Sequence, residues 1–335
     1  IKEDSLNDSE VLLEQYSTEI DGVTELTTTE IYASCVNSVV GITTEGTTTN
    51  IFGQISNNAS SGTGIVFSED GYILTNYHVV ESGNSYTVNM YNGVSCEAEL
   101  VGYEADNDIA VLKIESDNLV PAAIGNSDKI IVGEDVTVIG NPLGELTYTL
   151  TRGVVSALNR VISTDDTPIN MFQIDAAVNS GNSGGPAFDS TGCVIGVVTA
   201  KYASDSIEGI GFCIPVNDAV KIAEELIEYG YIRGKSAIGI CAEDGYLTSG
   251  GWFNSYLIYG ANVKYICEEY QCSESGISVG DLIVKVDETD IRSASDLETI
   301  LKSYSVGETV TVSAYHNKDG YYEMTEYKIK LGEYS

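Results

Sequence analysis

Short apolar runs, three to five residues long and cut off by Gly, Asn, Asp or Ser, repeat from Glu30 to about Pro215. Gly64-Ile65-Val66-Phe67, Tyr72-Ile73-Leu74, Ile109-Ala110-Val111-Leu112, Val136-Thr137-Val138-Ile139, Gly153-Val154-Val155 and Val194-Ile195-Gly196-Val197-Val198 are examples. Runs this short cannot build a helical bundle. Their spacing predicts a mostly β unit, either a β-sandwich or a β-barrel. Ser68-Glu69-Asp70-Gly71 reads as a hairpin turn between two of them. The 34 glycines, 5 prolines and many Val, Ile, Thr and Tyr agree with strands and tight turns.

The period then changes. Ala219, Ile222, Ala223, Leu226 and Ile227 fall at helical spacing, Asn217 or Asp218 suits the N-cap, and Gly230 suits the end. From Ser236 onward the order is strand, loop, strand, helix, strand, strand, with the helix expected over Ser295 to Tyr304. This predicts four segments: an acidic lead over 1–28, disordered or a tether, a β domain over 29–216, a helix and linker over 217–235, and a small α+β domain over 236–335.

Charge restricts the partners. Fifty acidic and 16 basic side chains give a net charge of -34, which repels nucleic acid and anionic lipid. No run of 18 apolar residues exists to span a membrane as a helix. The chain starts at Ile1, as expected of a mature or trimmed chain that has lost an N-terminal signal or anchor. The seven cysteines contain no CxxC, and the two histidines are distant, so no zinc ligand set forms. Mostly buried free thiols are expected, with Cys193–Cys213 and Cys267–Cys272 as the two pairings open to a disulfide.

Gly181-Asn182-Ser183-Gly184-Gly185-Pro186 holds a serine between glycines. An alcohol is a poor nucleophile at neutral pH and needs a base to take its proton. Of the two histidines, His78 in Thr75-Asn76-Tyr77-His78-Val79-Val80 suits that role, and Asp108 before Ile109 suits the group that orients the imidazole. His, Asp, Ser is a known chain order for such a triad. The amides of Gly181 and Ser183, with Asn182 between them, suit an oxyanion hole. This chemistry needs no metal and no organic cofactor. His316 lacks a local acid–base partner and reads as a surface residue, and Asn317-Lys318-Asp319-Gly320 reads as a hairpin turn rather than a calcium loop.

Thr75–Val80, Asp106–Ile114 and Asn179–Pro186 resemble the three catalytic motifs of the HtrA/DegP serine proteases. Ile139–Gly144, Gly153–Ala157 and Gly209–Pro215 match supporting segments, and Ser278–Asp287 resembles the core of a PDZ domain. The resemblance covers roughly residues 30 to 333. It implies a chymotrypsin-like double β-barrel, with the protease domain over 29–216 and the PDZ domain over 236–335. It also implies an endopeptidase acting on unfolded or exposed polypeptides, a homotrimer, and a bacterial, extracytoplasmic site, secreted or anchored to the outer face of a membrane.

Further residues follow from the same likeness. Ala177 falls where trypsin-type enzymes carry an acidic specificity residue, so small or medium aliphatic side chains are implied on the acyl side. Ala200, Lys201 and Tyr202 are expected at the border of that pocket. Ala237-Ile238-Gly239-Ile240 is the expected peptide-docking segment of the PDZ domain, with a C-terminal peptide as ligand. Glu243 to Gly260, rich in Gly, Tyr and Ser, departs from the family pattern and reads as an insertion. Two rival functions share these residues: a chaperone or scaffold with a latent protease domain, and a processing protease of narrow specificity.

Overall fold

The apolar runs fold as strands, and twelve of them close into two six-stranded barrels. The structure, a computed structural model, describes residues 25–49, 55–141, 148–164, 167–201, 209–249, 256–318 and 321–333. A short helix, α1 (Thr28–Cys35), precedes the first barrel. Its N-terminus is fixed by a capping box in which Thr27 and Glu30 exchange side-chain and backbone bonds.

The first barrel contains β1 (Val39–Thr49), β2 (Ile55–Val66), β3 (Tyr72–Thr75), β4 (Ser85–Met90), β5 (Ser95–Glu104) and β6 (Ile109–Ile114), in the order β1-β2-β3-β6-β5-β4. A one-turn helix, α2 (Tyr77–Val80), follows β3. The second barrel contains β7 (Asp135–Gly140), β8 (Thr149–Thr164), β9 (Thr167–Ile174), β10 (Pro186–Phe188), β11 (Val194–Thr199) and β12 (Gly211–Pro215), in the order β10-β11-β12-β9-β8-β7. β6 and β11 are continuous apolar runs because most of their side chains are buried. Ile42, Ile65, Ile73, Leu74, Ile109 and Leu112 are fully buried in the first barrel, and Val136, Phe172, Ile174, Ile195 and Val198 form part of the second core. Each such side chain contributes about 1.5–3 kcal/mol on leaving water. The turn expected at Ser68–Gly71 joins β2 to β3, with Gly71 at φ +104° and its N–H donating to Ser68 O at 3.3 Å.

The predicted helix is α3 (Val216–Tyr229). Ala219, Ala223 and Leu226 are fully buried on one face, and Gly230 ends it at φ +81° with its N–H on Leu226 O. Beyond it one further α-helix is described, α4 (Ala294–Leu301), which is capped by Ser293 and is shorter than the expected Ser295–Tyr304 helix, and a 3-10 turn covers Gln271–Glu274. The strands are β13 (Ser236–Ala237), β14 (Ile240–Ser249), β15 (Tyr256–Ile266), β16 (Leu282–Val286), β17 (Thr289–Asp290), β18 (Thr309–Lys318), β19 (Tyr321–Lys330) and β20 (Gly332–Glu333). The sheet runs β14-β15-β16-β18-β19, so β14 is an edge; β17 pairs with β16, and β13 with β20. Ile283, Val286, Leu297, Val310 and Val312 belong to its core.

By its internal contacts the chain divides into two compact units. One is Ile1–Ala98, Ile114–Arg160 and Asn170–Asn217; the other is Glu99–Lys113, Val161–Ile169 and Asp218–Ser335. Within the second, Lys235 Nζ donates to Glu104 Oε1 at 2.5 Å and to Asp106 Oδ2 at 2.7 Å, and Lys302 Nζ donates to Asp106 Oδ1 at 2.5 Å.

Three local readings gain detail in the fold. The described residues of Glu243–Gly260 belong to the β14–β15 hairpin, with Glu243 opposite Asn262 and Gly245 opposite Gly260. Its tyrosines and Thr248 are strand formers, which its glycines obscure. His316, without a partner in its local sequence, finds a distant one: its Nδ1 lies 2.7 Å from Oδ1 of the buried Asp281, which also accepts from Ser278 N–H and Tyr327 O–H. Neither disulfide forms, and all seven cysteines are free thiols. Cys272 instead donates to Gly239 O at 3.3 Å and Cys35 to Gly192 O at 3.4 Å.

Candidate active site

Ser183 is 3% exposed and lies between β9 and β10. Nearly every backbone group around it is bound. Gly184 N–H donates to Val198 O and Val198 N–H to Gly185 O, both at 2.8 Å, which ties the segment to β11. Gly185 N–H closes on Asn182 O and Asn182 N–H on Asn179 O, both at 3.0 Å. Among the described residues no acceptor takes the amides of Gly181 or Ser183. Those are the two donors expected of an oxyanion hole, left available while their neighbours are pinned.

Glycine is required at two of these positions. Gly181 has φ +99° and Gly184 has φ +82°. A Cβ on Gly184 would stand 2.2 Å from Thr75 Oγ1 and 2.3 Å from Thr63 O. Gly184 therefore packs directly on the end of β3, three residues from His78. One residue before it, Ser183 O accepts from Thr63 N–H at 2.9 Å. Ser183 Oγ accepts from Ala200 N–H at 2.9 Å, so one lone pair of the hydroxyl is held and its proton remains to be given away.

His78 lies in α2, half-buried, immediately after β3 and the buried Asn76. Its neighbour Val79 packs where a Cβ on Gly62 would come within 2.6 Å of Val79 Cγ1 and 3.2 Å of Ser183 O. Asp108 is 1% exposed, has φ +54° and precedes β6, the strand next to β3 in the barrel order. Such a φ is uncommon for a residue other than glycine, though Asp is among the types that adopt it more readily. Asp108 N–H is held on Ala105 O at 3.2 Å, within a turn.

The remaining expected residues divide. Asn182 is buried, and its Nδ2 donates to Ala177 O at 3.5 Å. Ala177 O also accepts from Thr151 Oγ1 at 3.0 Å, which links this expected specificity residue to the oxyanion segment. Ala200 holds the serine oxygen, Lys201 is exposed, and Tyr202 lies outside the described residues. Ala237 is in β13 and Ile238 is buried. Gly239 has φ +75° with its carbonyl held by Cys267 N–H at 2.9 Å, and Ile240 begins the edge strand β14. Among the described residues, no cluster of His, Cys, Asp and Glu suits a metal ion.

One residue of the site went unread in the sequence, Thr63, while Asn179 and Asn141 were read only as members of their motifs. Asn141 N–H donates to Thr63 Oγ1 at 2.9 Å. The available signal was Gly62-Thr63-Gly64, a small polar residue between glycines inside a strand, where close backbone approach is expected.

Comparison with known proteins agrees with this arrangement. A family model described as Trypsin-like peptidase domain matches residues 62–197, and one described as PDZ domain matches residues 255–322. The Serine protease Do-like HtrA of Bacillus subtilis is 36% identical over 324 residues, covering 88% of this chain and 70% of its own. The Probable periplasmic serine endoprotease DegP-like of Halomonas elongata is 34% identical over 259 residues, covering 77% of this chain and 54% of its own. The solved structure of the HtrA-type protease AlgW with decapeptide superposes at a TM-score of 0.59 and 26% identity, over 92% of this chain and 99% of that one. Two barrels, a trypsin-like serine segment and a C-terminal PDZ domain place the chain in one family: it belongs to the HtrA serine proteases.

Proposed function

We propose that this HtrA protease cleaves exposed or unfolded polypeptide segments through an acyl-enzyme formed on Ser183. His78 takes the hydroxyl proton as Ser183 Oγ attacks the carbonyl carbon and returns it to the leaving amine, while Asp108 holds the imidazole and stabilises its charged form. The amides of Gly181 and Ser183 receive the negative oxygen of the tetrahedral intermediate. Water then repeats the sequence on the acyl-enzyme and releases the second product.

The observation that carries the reading is the bond pattern of residues 179–185, which leaves those two amides without an acceptor among the described residues and binds those of Asn182, Gly184 and Gly185. Small or medium aliphatic side chains are the acyl-side preference, supported by the small Ala177 beside Asn182. The edge strand β14, which Ile240 begins and Ala237–Gly239 lead into, is the strand to which a peptide C-terminus adds. A homotrimer outside the cytoplasm completes the proposal, the location supported by the periplasmic name of a relative.

A fluorophosphonate probe and fluorescent casein test this. Wild type should label at one site and degrade casein, and Ser183→Ala should do neither. Labelling that persists in Ser183→Ala, or a properly folded wild type inert to both, overturns it.

A further inference from the structure

We propose that Thr63 is a positioning residue for catalysis, setting the oxyanion segment in its working orientation from the opposite barrel. The inference rests on the reading of Gly181 and Ser183 as the oxyanion donors.

Thr63 is fully buried in β2 and uses every polar group it has. Its Oγ1 donates to Gly181 O at 2.6 Å and accepts from Asn141 N–H at 2.9 Å. Its own N–H donates to Ser183 O at 2.9 Å, and its carbonyl accepts from Thr75 Oγ1 at 2.7 Å. One residue therefore grips the carbonyls on both sides of Asn182, those of Gly181 and Ser183, and joins them to the end of the strand that leads to His78.

The consequence follows from peptide planes. Each peptide unit is rigid, so holding its oxygen also fixes the direction of its N–H. The Gly181–Asn182 unit is held at its oxygen by Thr63 and at its nitrogen by Asn179 O. The Ser183–Gly184 unit is held at its oxygen by Thr63 and at its nitrogen by Val198 O. The two units whose N–H groups stay open, Ser180–Gly181 and Asn182–Ser183, alternate with these clamped ones. Gly181 tolerates either sense of rotation because it has no Cβ. The Thr63 hydroxyl selects one, since turning that unit over would leave its buried O–H without the Gly181 carbonyl and the Asn182 N–H without Asn179 O. The side chain touches no reacting atom, so its action is on geometry alone.

The test uses the full chain with Thr63→Val, which keeps the shape and the bonds of residue 63's own backbone but loses the hydroxyl, and with it the acceptor of Asn141 N–H, and Thr63→Ser, which restores both. For casein, Thr63→Val should lower kcat by about 10- to 100-fold, less than the roughly 100- to 1,000-fold cost of removing an oxyanion donor outright, with KM changed by less than about twofold. Fluorophosphonate labelling should slow by a similar factor, and Thr63→Ser should stay within about threefold of wild type. Thermal unfolding of each variant gives the folded fraction at assay temperature. Three outcomes overturn the proposal: Thr63→Val with wild-type kcat, a loss fully accounted for by its unfolded fraction, or a rise in KM at constant kcat. If Thr63→Val does not fold, Thr63→Ala takes its place, and a Thr63→Ser variant as slow as Thr63→Ala also overturns it. Loss of all labelling in Ser183→Ala is scored separately, so failure of the site reading is not mistaken for failure of this one.

Discussion

Lys302 and Asp106 meet at 2.5 Å across 196 residues of sequence, and Lys235 closes on the same carboxylate from its other side. Asp106 stands two residues before Asp108. Burial raises the Asp106 carboxyl, but hydrogen bonds from Lys235 and Lys302 outweigh it and hold the group below its ordinary value. Burial lowers Lys235, and bonds to Asp106 and Glu104 outweigh that too, so its ammonium is raised.

The signs give a pH prediction. A depressed carboxyl contributes stability that is present above its unfolded value, about 3.9, and lost as pH falls through the lower folded value. A raised lysine contributes stability that is present below about 10.4 and lost as pH rises through its higher folded value. Asp106→Asn should cost roughly 2 kcal/mol at pH 7 and progressively less as pH falls below about 3.9. Chemical unfolding monitored by tryptophan fluorescence measures this. A cost that does not change with pH rules the ion cluster out as the cause.

On the proposed triad, Asp108→Asn should lower kcat by about ten-thousand-fold while KM holds, because the imidazole would lose the partner that sets its tautomer. Combining it with Ser183→Ala should produce no further loss, since the groups act as one unit. Casein hydrolysis under initial-rate conditions decides. A decrease of less than about tenfold for Asp108→Asn removes Asp108 from the triad.

Gly184→Ala should destabilise the protein by roughly 2 kcal/mol or more and abolish fluorophosphonate labelling. The new methyl would meet Thr75 Oγ1 and Thr63 O at φ +82°. A variant with unchanged Tm and normal labelling contradicts the packing described between this glycine and the end of β3.

Thiol accessibility checks the cores. Burial pushes the Cys35 thiol up to about 11, with Cys193 and Asp189 adding to the effect, and burial alone raises Cys213 further. With a thiol-reactive dye at pH 8, the exposed Cys241 should react within seconds to minutes, and Cys213 only on global unfolding. Mass mapping of the labelled sites reads the order directly. Early labelling of Cys213 is incompatible with its place in β12.

Asp281→Ala should cost about 2–4 kcal/mol, because Ser278 N–H, Tyr327 O–H and His316 Nδ1 all lose one buried carboxylate. Urea unfolding of the full chain gives the value. A cost below about 0.5 kcal/mol shows that these bonds are replaced by water.

The strands, the turn at Ser68–Gly71, the helix ending at Gly230 and the residue types of His78, Asp108 and Ser183 could be read from the linear chain, because each is written in local periodicity, a turn requirement or an intrinsic acid–base property. The folded molecule alone pairs Thr63 with Gly181 over 118 residues, Lys302 with Asp106, and His316 with Asp281. A hydroxyl, an ammonium or an imidazole carries no mark of the distant group it will meet. Barrel closure and sheet register choose that group, and they are collective results of packing many side chains at once.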